Sequence, residues 1–296
     1  MLGDALQAQA SEWLALREAE GLKPNTIRSY SDHIHIFLKA LAGRELTPFT
    51  FAAFFRDYAK GHSIASCKSI YNSVKLFLHG IERPELMGKM VRPRGETSPK
   101  SIYGEGQLKA LFQVLRADRA PSGLRDHAIV CLLRYCGLRA AEACNLRLDD
   151  LIEAEDAVFV RNGKSRYARR KVPLVSPCPQ ALAVYLGRGR PKLLRRASYS
   201  DYLFLTVDGF PLTRNSLRML LRRRGQQVGI PISAHRFRHT WATAHVRVRT
   251  NPAAIGYLAG WSPKTLYDMM ATYGHPDIED LREAQKEAFG SAQSGR

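Results

Sequence analysis

Apolar residues recur at helical spacing throughout the first 82 residues of the chain. The second such segment carries them three or four positions apart, at Ile27, Tyr30, Ile34, Phe37, Leu38 and Leu41. The first and fourth segments show the same spacing, with Leu6, Trp13, Leu14 and Leu16 in one and Ile70, Val74, Leu76 and Phe77 in the other. Thr47 and Ser63 precede the third and fourth segments and are typical helix caps. We predict a bundle of four short helices over residues 1–82.

A different pattern begins after residue 82. Residues 83–98 contain two prolines, two glycines and several charges, a composition typical of a linker. Helical patterns over residues 104–115 and 123–135 then precede two short alternating segments, 157–161 and 171–175, which predict strands joined by an Asn-Gly loop. Helical patterns follow to the C terminus. We predict a mainly α fold with a small β-sheet (α+β), arranged as an N-terminal helical domain (1–82), a linker (83–98) and a second domain (99–296).

The charge balance adds a polyanionic partner to this picture. The chain has 45 Lys and Arg against 27 Asp and Glu, a net charge of +18. Residues 1–95 hold 13 basic and 9 acidic residues, whereas residues 96–296 hold 32 and 18. Most of the basic residues in the second part are arginines, which bind phosphate oxygens through two parallel hydrogen bonds. This distribution favours nucleic acid as the partner over an anionic membrane or an acidic protein.

Five cysteines lie along the chain without a Cys-x-x-Cys pair. An odd number of isolated cysteines in a chain of this length predicts free thiols and a cytoplasmic location. The first ten residues contain Asp4 and no apolar run, and the longest apolar run, residues 128–133, is too short for a bilayer. We therefore expect neither a secretory signal nor a membrane span.

Two places in the second domain combine basic residues in a way that suits phosphate. Arg139 follows a glycine that is expected to end a helix, and Glu142, three residues later, can hold its guanidinium. The loop between the predicted strands contains four cations, Lys164, Arg166, Arg169 and Arg170. Such a loop is typical both of a hairpin tip that enters a DNA groove and of an ordinary exposed basic hairpin. We predict that Arg166, Arg169 and Arg170 bind DNA.

The segment AHRFRHTWATAH (234–245) offers two different helical pairs. His235 and His239 have the spacing of metal ligands, but the Glu of the HExxH motif is missing and two arginines in the same turn would repel a cation. We therefore predict no metal site. His235 and Arg238 share a helix face and suit a phosphate, because arginine stabilises the negative charge and histidine moves a proton near neutral pH.

A fourth segment, LAGWSPKTLYDMMATYGHPD, supplies Trp261, Tyr267, Tyr273 and His275. Five motifs now stand in one order along the chain: Arg139 in GLRAAE, Lys164 in the basic loop, His235 and Arg238 in HRFR, Trp261 in LAGW and Tyr273 in YGH. In this order and in the stretches GKSRYARRKVPL and HRFRHTWAT, the chain resembles the tyrosine recombinase (phage integrase) family over essentially its whole length. Trp261 occupies a position at which the family often has His.

The resemblance implies a helical core-binding domain followed by a catalytic domain that exchanges DNA strands through a 3′-phosphotyrosyl intermediate. The implied roles are Tyr273 as nucleophile, Arg139 and Arg238 as phosphate ligands, His235 and Lys164 in proton transfer, Trp261 as a phosphate support, and Glu142 and His239 as supporting residues. No cofactor is expected. The implied partners are double-stranded DNA and three further copies of the chain, as a homotetramer on paired sites.

Several alternatives stay open at this point. Tyr267 is the alternative nucleophile, because the gap of twelve residues from Trp261 to Tyr273 is longer than the family's commonest spacing. A type IB topoisomerase would use the same residue types to relax DNA. A catalytically inactive DNA-binding relative, and a metal-dependent nuclease built on His235 and His239, are the remaining alternatives.

Overall fold

The computed structural model describes residues 2–41, 43–88, 92–95, 101–161, 169–194, 200–273, 282 and 285–286, with the backbone alone at residues 2–4 and 271–273. The chain divides into two compact units, Met1–Pro99 and Lys100–Arg296. No helix in these described ranges is both long and apolar enough to cross a membrane. The five cysteines are buried and unpaired, as predicted.

The first unit is built from four α-helices in its described part: α1 (Leu2–Ala19), α2 (Pro24–Leu41), α3 (Pro48–Gly61) and α4 (Ile64–Gly80). The hydroxyls of Thr47 and Ser63 cap α3 and α4, as predicted, because each accepts a backbone N–H three residues later. The apolar spacing of the first and fourth segments predicts that Leu16 and Leu76 lie on the inner helix faces, and this is wrong, since both side chains are exposed.

The core of the first unit extends into the segment predicted as a linker. A 3₁₀ turn, Pro84–Met87, follows α4, and its Leu86 and Met87 side chains are buried in the same cluster as Phe37 and Phe77. The fold of this unit therefore continues for several residues beyond the fourth helix.

The second unit contains the α-helices α5 (Glu105–Ala117), α6 (Pro121–Tyr135), α7 (Ala140–Cys144), α8 (Cys178–Val184), α9 (Arg190–Leu194), α10 (Arg214–Gln227), α11 (Ala234–Arg247), α12 (Pro252–Ala259) and α13 (Pro263–Tyr273). A π-helical turn, Tyr185–Gly189, joins α8 to α9. Helix α6 runs through the core, and its residues 128–133 are fully buried. Six consecutive apolar residues cover all sides of a helix, so this stretch belongs at the centre of the domain.

A small antiparallel sheet completes the second unit, with the strand order β1 (Leu151–Ile152), β2 (Ala157–Val160) and β3 (Arg170–Pro173). The predicted mainly α fold with a small sheet is confirmed, although β1 was not predicted because two residues carry no alternation. In β3 the side chains of Arg170 and Val172 are buried, whereas that of Lys171 is exposed. This alternation is the ordinary geometry of a strand, and it directs Arg170 into the protein. The loop residues 162–168 lie outside the described part.

Candidate active site

The turn between α6 and α7 positions the first predicted phosphate ligand. Helix α6 ends at Tyr135, and Gly137 adopts a left-handed conformation (φ 60°) that redirects the chain. Arg139 then precedes α7, and its side chain is 40% exposed. The carboxylate of Glu142 accepts two hydrogen bonds from Arg139, from the backbone N–H at 2.8 Å and from Nη1 at 2.7 Å. The predicted Arg139–Glu142 pair is therefore formed.

Arg170 lies in the site, but it does not lie on the surface. Its side chain is 0% exposed, and Nη1 and Nη2 donate to the two oxygens of Glu142 at 3.2 and 3.1 Å. The expectation that Arg170 binds DNA is corrected here, because a guanidinium without exposed surface cannot contact a phosphate outside the protein. The strand alternation that buries Arg170 leaves the neighbouring Arg169 exposed.

Arg238 is the buried counterpart of Arg139. It lies on α11, and its side chain donates from Nη1 to the carbonyl of Gly137 at 2.7 Å. Burial, together with the neighbouring guanidinium of Arg139, lowers the pKa of Arg238 to about 9, which still leaves it charged at neutral pH. An anion bound beside these arginines would relieve this electrostatic cost.

The C-terminal end of α12 brings the three arginines together. Three successive carbonyls accept one hydrogen bond each: Leu258 from Arg170 (Nε, 2.7 Å), Ala259 from Arg238 (Nη2, 2.5 Å) and Gly260 from Arg139 (Nη2, 3.2 Å). Gly260 has a left-handed conformation (φ 61°) and ends the helix. The last carbonyls of a helix carry partial negative charge, so this end attracts cations.

The four side chains carry an unbalanced charge. Arg139, Arg170 and Arg238 contribute three positive charges and Glu142 contributes one negative charge, which leaves two positive charges on the group. Arg139 is the member of this group that reaches solvent to a large extent. A phosphodiester is therefore matched to the site in charge.

His235 and His239 form a direct pair on α11. Their Nε2 atoms are 2.6 Å apart and the rings meet edge to face, with His235 exposed and His239 buried. Two imidazole nitrogens around a tetrahedral zinc ion would be about 3.3 Å apart, so the observed separation is that of a hydrogen bond. Among the residues that the structure describes, no group of three or more His, Cys, Asp or Glu is arranged to hold a metal. The histidine pair is thus arranged for proton sharing and ring orientation.

Trp261 packs beside Arg238. It is buried in a small separate core with Trp241 and Ile255. The Cζ atom of Arg238 is 5.4 Å from the centroid of the Trp261 ring, a cation–π distance. The indole therefore supports the guanidinium of Arg238 by direct contact.

The structure describes the other predicted site residues only in part. Lys164 and Arg166 lie outside the described residues, as does His275. Tyr273 is the last residue of α13, and its side chain is not among those described. Tyr267, the alternative nucleophile, is 77% exposed on the same helix.

Sequence reasoning missed the contribution of backbone groups to this site. Four hydrogen bonds from three guanidiniums end on backbone carbonyls, one at Gly137 and three at the end of α12. A pattern of side chains along the sequence does not show such acceptors. The glycines in GLR and LAGW were the available signal, because left-handed turns frequently use glycine.

The chain is similar in sequence to a known family. The sequence model of the phage integrase family matches residues 103–278. The chain is 31% identical over 273 residues to the tyrosine recombinase XerC of Bacillus subtilis, covering 87% of this chain and 88% of the relative. It is 29% identical over 276 residues to the tyrosine recombinase XerA of Thermococcus kodakarensis, covering 92% of each.

Solved structures share the fold. The Tn1549 transposon integrase in complex with transposon right end DNA matches with a TM-score of 0.72 at 21% identity, covering 96% of this chain and 99% of that chain. The XerH site-specific recombinase bound to a palindromic difH substrate matches with a TM-score of 0.69 at 18% identity, covering 91% and 82%.

Proposed function

This chain belongs to the phage integrase family and is a tyrosine site-specific recombinase, and from that premise we propose how its residues break and rejoin DNA. The observation that carries the proposal is the grouping of three guanidiniums around the single carboxylate of Glu142, with Arg139 open to solvent. This group holds a phosphodiester without a metal ion. Double-stranded DNA is the proposed substrate, in agreement with the net charge of +18.

Tyr273 is the proposed nucleophile. Its phenolic oxygen attacks the scissile phosphorus, the P–O5′ bond breaks, and the products are a 3′-phosphotyrosyl link and a free 5′-hydroxyl. A second transesterification by the 5′-hydroxyl of the partner strand restores the DNA. The bond energy is kept in the phosphotyrosine, so the exchange needs no nucleotide cofactor.

Arg139 and Arg238 are the proposed ligands of the non-bridging oxygens. Charge gathers on these oxygens in the pentacoordinate transition state, and guanidiniums already fixed by Glu142 and by backbone carbonyls need no reorganisation to stabilise it. Glu142 and Trp261 support the two arginines.

His235 and Lys164 divide the proton transfers in this proposal. His235 accepts the proton of the tyrosine, and its hydrogen bond to His239 orients the ring. Lys164 donates a proton to the departing 5′-oxygen. The indole of Trp261 donates a hydrogen bond but does not exchange protons. Proton transfer therefore falls on His235 and Lys164.

Helix periodicity supports Tyr273 over Tyr267. Residues seven apart lie on nearly the same face of a helix, so the Tyr273 position falls on the face of Leu266. Leu266 packs against the small core that contains Trp261. Tyr267 is turned about 100° from this face and is exposed.

The test is the capture of a covalent protein–DNA adduct. A library of nicked duplexes with randomised centres would be incubated with the protein, and DNA that stays attached after denaturation would be sequenced to obtain the preferred site. On that site we expect the wild type and Tyr267→Phe to form the adduct and Tyr273→Phe to form none. An adduct with Tyr273→Phe, together with its loss in Tyr267→Phe, would transfer the nucleophile role to Tyr267.

The same substrate separates the alternative activities. The relatives named above are recombinases, which supports recombination over topoisomerase-like relaxation. We propose that relaxation of a supercoiled plasmid without the selected site is slow, and that adduct formation survives EDTA.

We also propose a homotetramer on two paired sites, to be measured by the mass of the protein–DNA complex, and a cytoplasmic location, which the five free thiols support.

A further inference from the structure

Arg170 has no role in the chemistry described so far. It lies at the start of β3, opposite Val160 of β2, and its side chain has no exposed surface. Burial of an arginine is costly and persists where the charge has specific partners. The partners of Arg170 therefore indicate what the residue does.

Two of the hydrogen bonds of Arg170 reach the carboxylate that holds Arg139, and a third reaches the end of α12. Nη1 and Nη2 donate to the two oxygens of Glu142, and Nε donates to the carbonyl of Leu258. Glu142 in turn accepts the backbone N–H and Nη1 of Arg139. Leu258 lies two residues before Gly260, whose carbonyl accepts Nη2 of Arg139. Arg170 thus contacts one support of the exposed guanidinium directly, at Glu142, and bonds to the helix end that carries the other.

The ionised state of Glu142 depends on the same contacts. Burial raises the pKa of Glu142, but the hydrogen bonds and charge of Arg170, followed by those of Arg139, outweigh the burial and hold the pKa below its usual range. Arg170 contributes more to this lowering than Arg139 does. A protonated Glu142 would lose one accepting oxygen and the charge that attracts Arg139.

We propose that Arg170 is a positioning residue for the phosphate ligand Arg139: it fixes the carboxylate of Glu142 and the end of α12 so that Arg139 meets the phosphate in one orientation. This inference rests on the proposed function of Arg139. A lysine at this position would keep the charge but would lack the planar fork that spans both carboxylate oxygens.

The role has a pH signature. Glu142 has a lowered pKa in the wild type, so it stays ionised until the pH falls well below neutrality. In Arg170→Leu the burial that raises the pKa remains and the main opposing partner is gone. Glu142 then takes up a proton at a higher pH, and Arg139 loses its support there. The acid side of the rate profile should therefore move to higher pH.

The experiment measures the single-turnover rate of adduct formation on the selected nicked DNA between about pH 5 and 9. The variants are Arg170→Leu, Arg170→Lys and, as a matched control, Arg224→Leu. Arg224 is equally buried and donates to the carboxylates of Asp118 and Asp126. DNA affinity and the urea unfolding midpoint are measured for each variant.

We expect adduct formation by Arg170→Leu to be slower by about 10- to 100-fold at neutral pH, with unchanged DNA affinity and an acid limb at higher pH. For Arg170→Lys, both the rate of adduct formation and the pH of the acid limb should lie between those of the wild type and Arg170→Leu. Because lysine keeps a positive charge at this position, this variant tests the inference even if the leucine variant does not fold. Arg224→Leu should lower the unfolding midpoint and keep the wild-type limb.

Two results would overturn the inference. One is a uniform loss of rate in Arg170→Leu and Arg170→Lys with the wild-type acid limb, and the other is an equal shift of the limb in Arg224→Leu. Either would make Arg170 a stabilising residue only. A wild type that forms no adduct on any nicked DNA would instead overturn the proposed function itself, so the two failures are distinguishable.

Discussion

At the scale of single residues, Gly137 links the two proposed phosphate ligands. Its carbonyl accepts Nη1 of Arg238, and Arg139 follows two positions later. Its φ of 60° lies in the left-handed region, and a Cβ built there would lie 2.4 Å from Cδ2 of Trp241. Both the backbone conformation and the space beside it require glycine.

Gly137→Ala should therefore disturb stability and activity together. We expect a loss of more than about 2 kcal/mol in the free energy of unfolding, since left-handed strain of about 1–2 kcal/mol adds to the clash with Trp241, and a slower adduct formation. Gly229→Ala is the control, because Gly229 has φ 69° and no heavy atom within 4 Å of the added Cβ. It should lose about 1 kcal/mol and keep its activity. Urea unfolding measures the free energy of unfolding, and the adduct assay measures activity. Equal losses in the two variants would show that the clash with Trp241 does not add to the strain.

Residue spacing predicted several of the contacts in the site. The i, i+3 pair Arg139–Glu142 and the neighbourhood of His235 and His239 are properties of a local helix, and the structure contains both. Arg170 was placed wrongly because Arg169, Arg170 and Lys171 are three consecutive cations, and only the strand register decides which one is buried. Register depends on packing of the whole sheet, which a loop-like basic sequence does not reveal.

At the scale of elements, an ion network joins α6 to α10. Asp126 of α6 has no exposed surface and accepts hydrogen bonds from three arginines, namely Arg125 of the same helix and Arg223 and Arg224 of α10. Arg224 also reaches Asp118 at 2.6 Å. The network therefore ties α6 to α10.

Asp126→Asn should be strongly destabilising. The amide keeps one acceptor but removes the charge that compensates two buried guanidiniums, and breaking a buried ion pair from one side costs about 3–5 kcal/mol. Glu155→Gln is the control in the same unit, because the exposed Glu155–Lys171 pair contributes less than about 1 kcal/mol. The difference in free energy of unfolding between the two variants, measured in urea, should exceed about 2 kcal/mol. Equal values would show that the network is not stabilising.

Elements differ in how far the sequence determines them. Helices α3 and α4 begin where their capping hydroxyls predict, because capping is a local interaction. Strand β1 has two residues and is defined only by its pairing with β2, through Leu151 with Val158 and Ile152 with Ala157. Such an element depends on its neighbour and has no pattern of its own.

At the scale of the whole molecule, the charge and the family agree on the substrate. The order of five motifs, each weak alone, indicates the family, because order and spacing along 296 residues are far more specific than any single motif. The basic excess lies mainly in residues 96–296, the part that carries the proposed active site. DNA binding by such a surface releases counterions, so its affinity falls with salt.

Arg169, just before β3, and Lys171, within β3, allow the salt dependence of DNA binding to be tested one charge at a time. Arg169 is exposed just before β3 and is proposed to contact a DNA phosphate. Lys171 is also exposed, but its Nζ donates to both oxygens of Glu155 at 2.7 and 2.9 Å, so its charge is already compensated. The two residues are close neighbours, and within the described part of the chain an acidic partner is found for Lys171 and none for Arg169.

We expect a plot of log affinity against log salt concentration to be steep for the wild type, with a slope of about −0.9 for each phosphate contacted. Arg169→Gln should reduce the magnitude of that slope by about 1 and weaken binding similarly on specific and non-specific DNA. Lys171→Gln should leave the slope unchanged, because the charge of Lys171 is paired with Glu155 and contacts no DNA phosphate. Fluorescence anisotropy on a short duplex measures both slopes. A change of slope in Lys171→Gln but not in Arg169→Gln would assign the phosphate contact to the strand residue and would show that DNA displaces Glu155 from it.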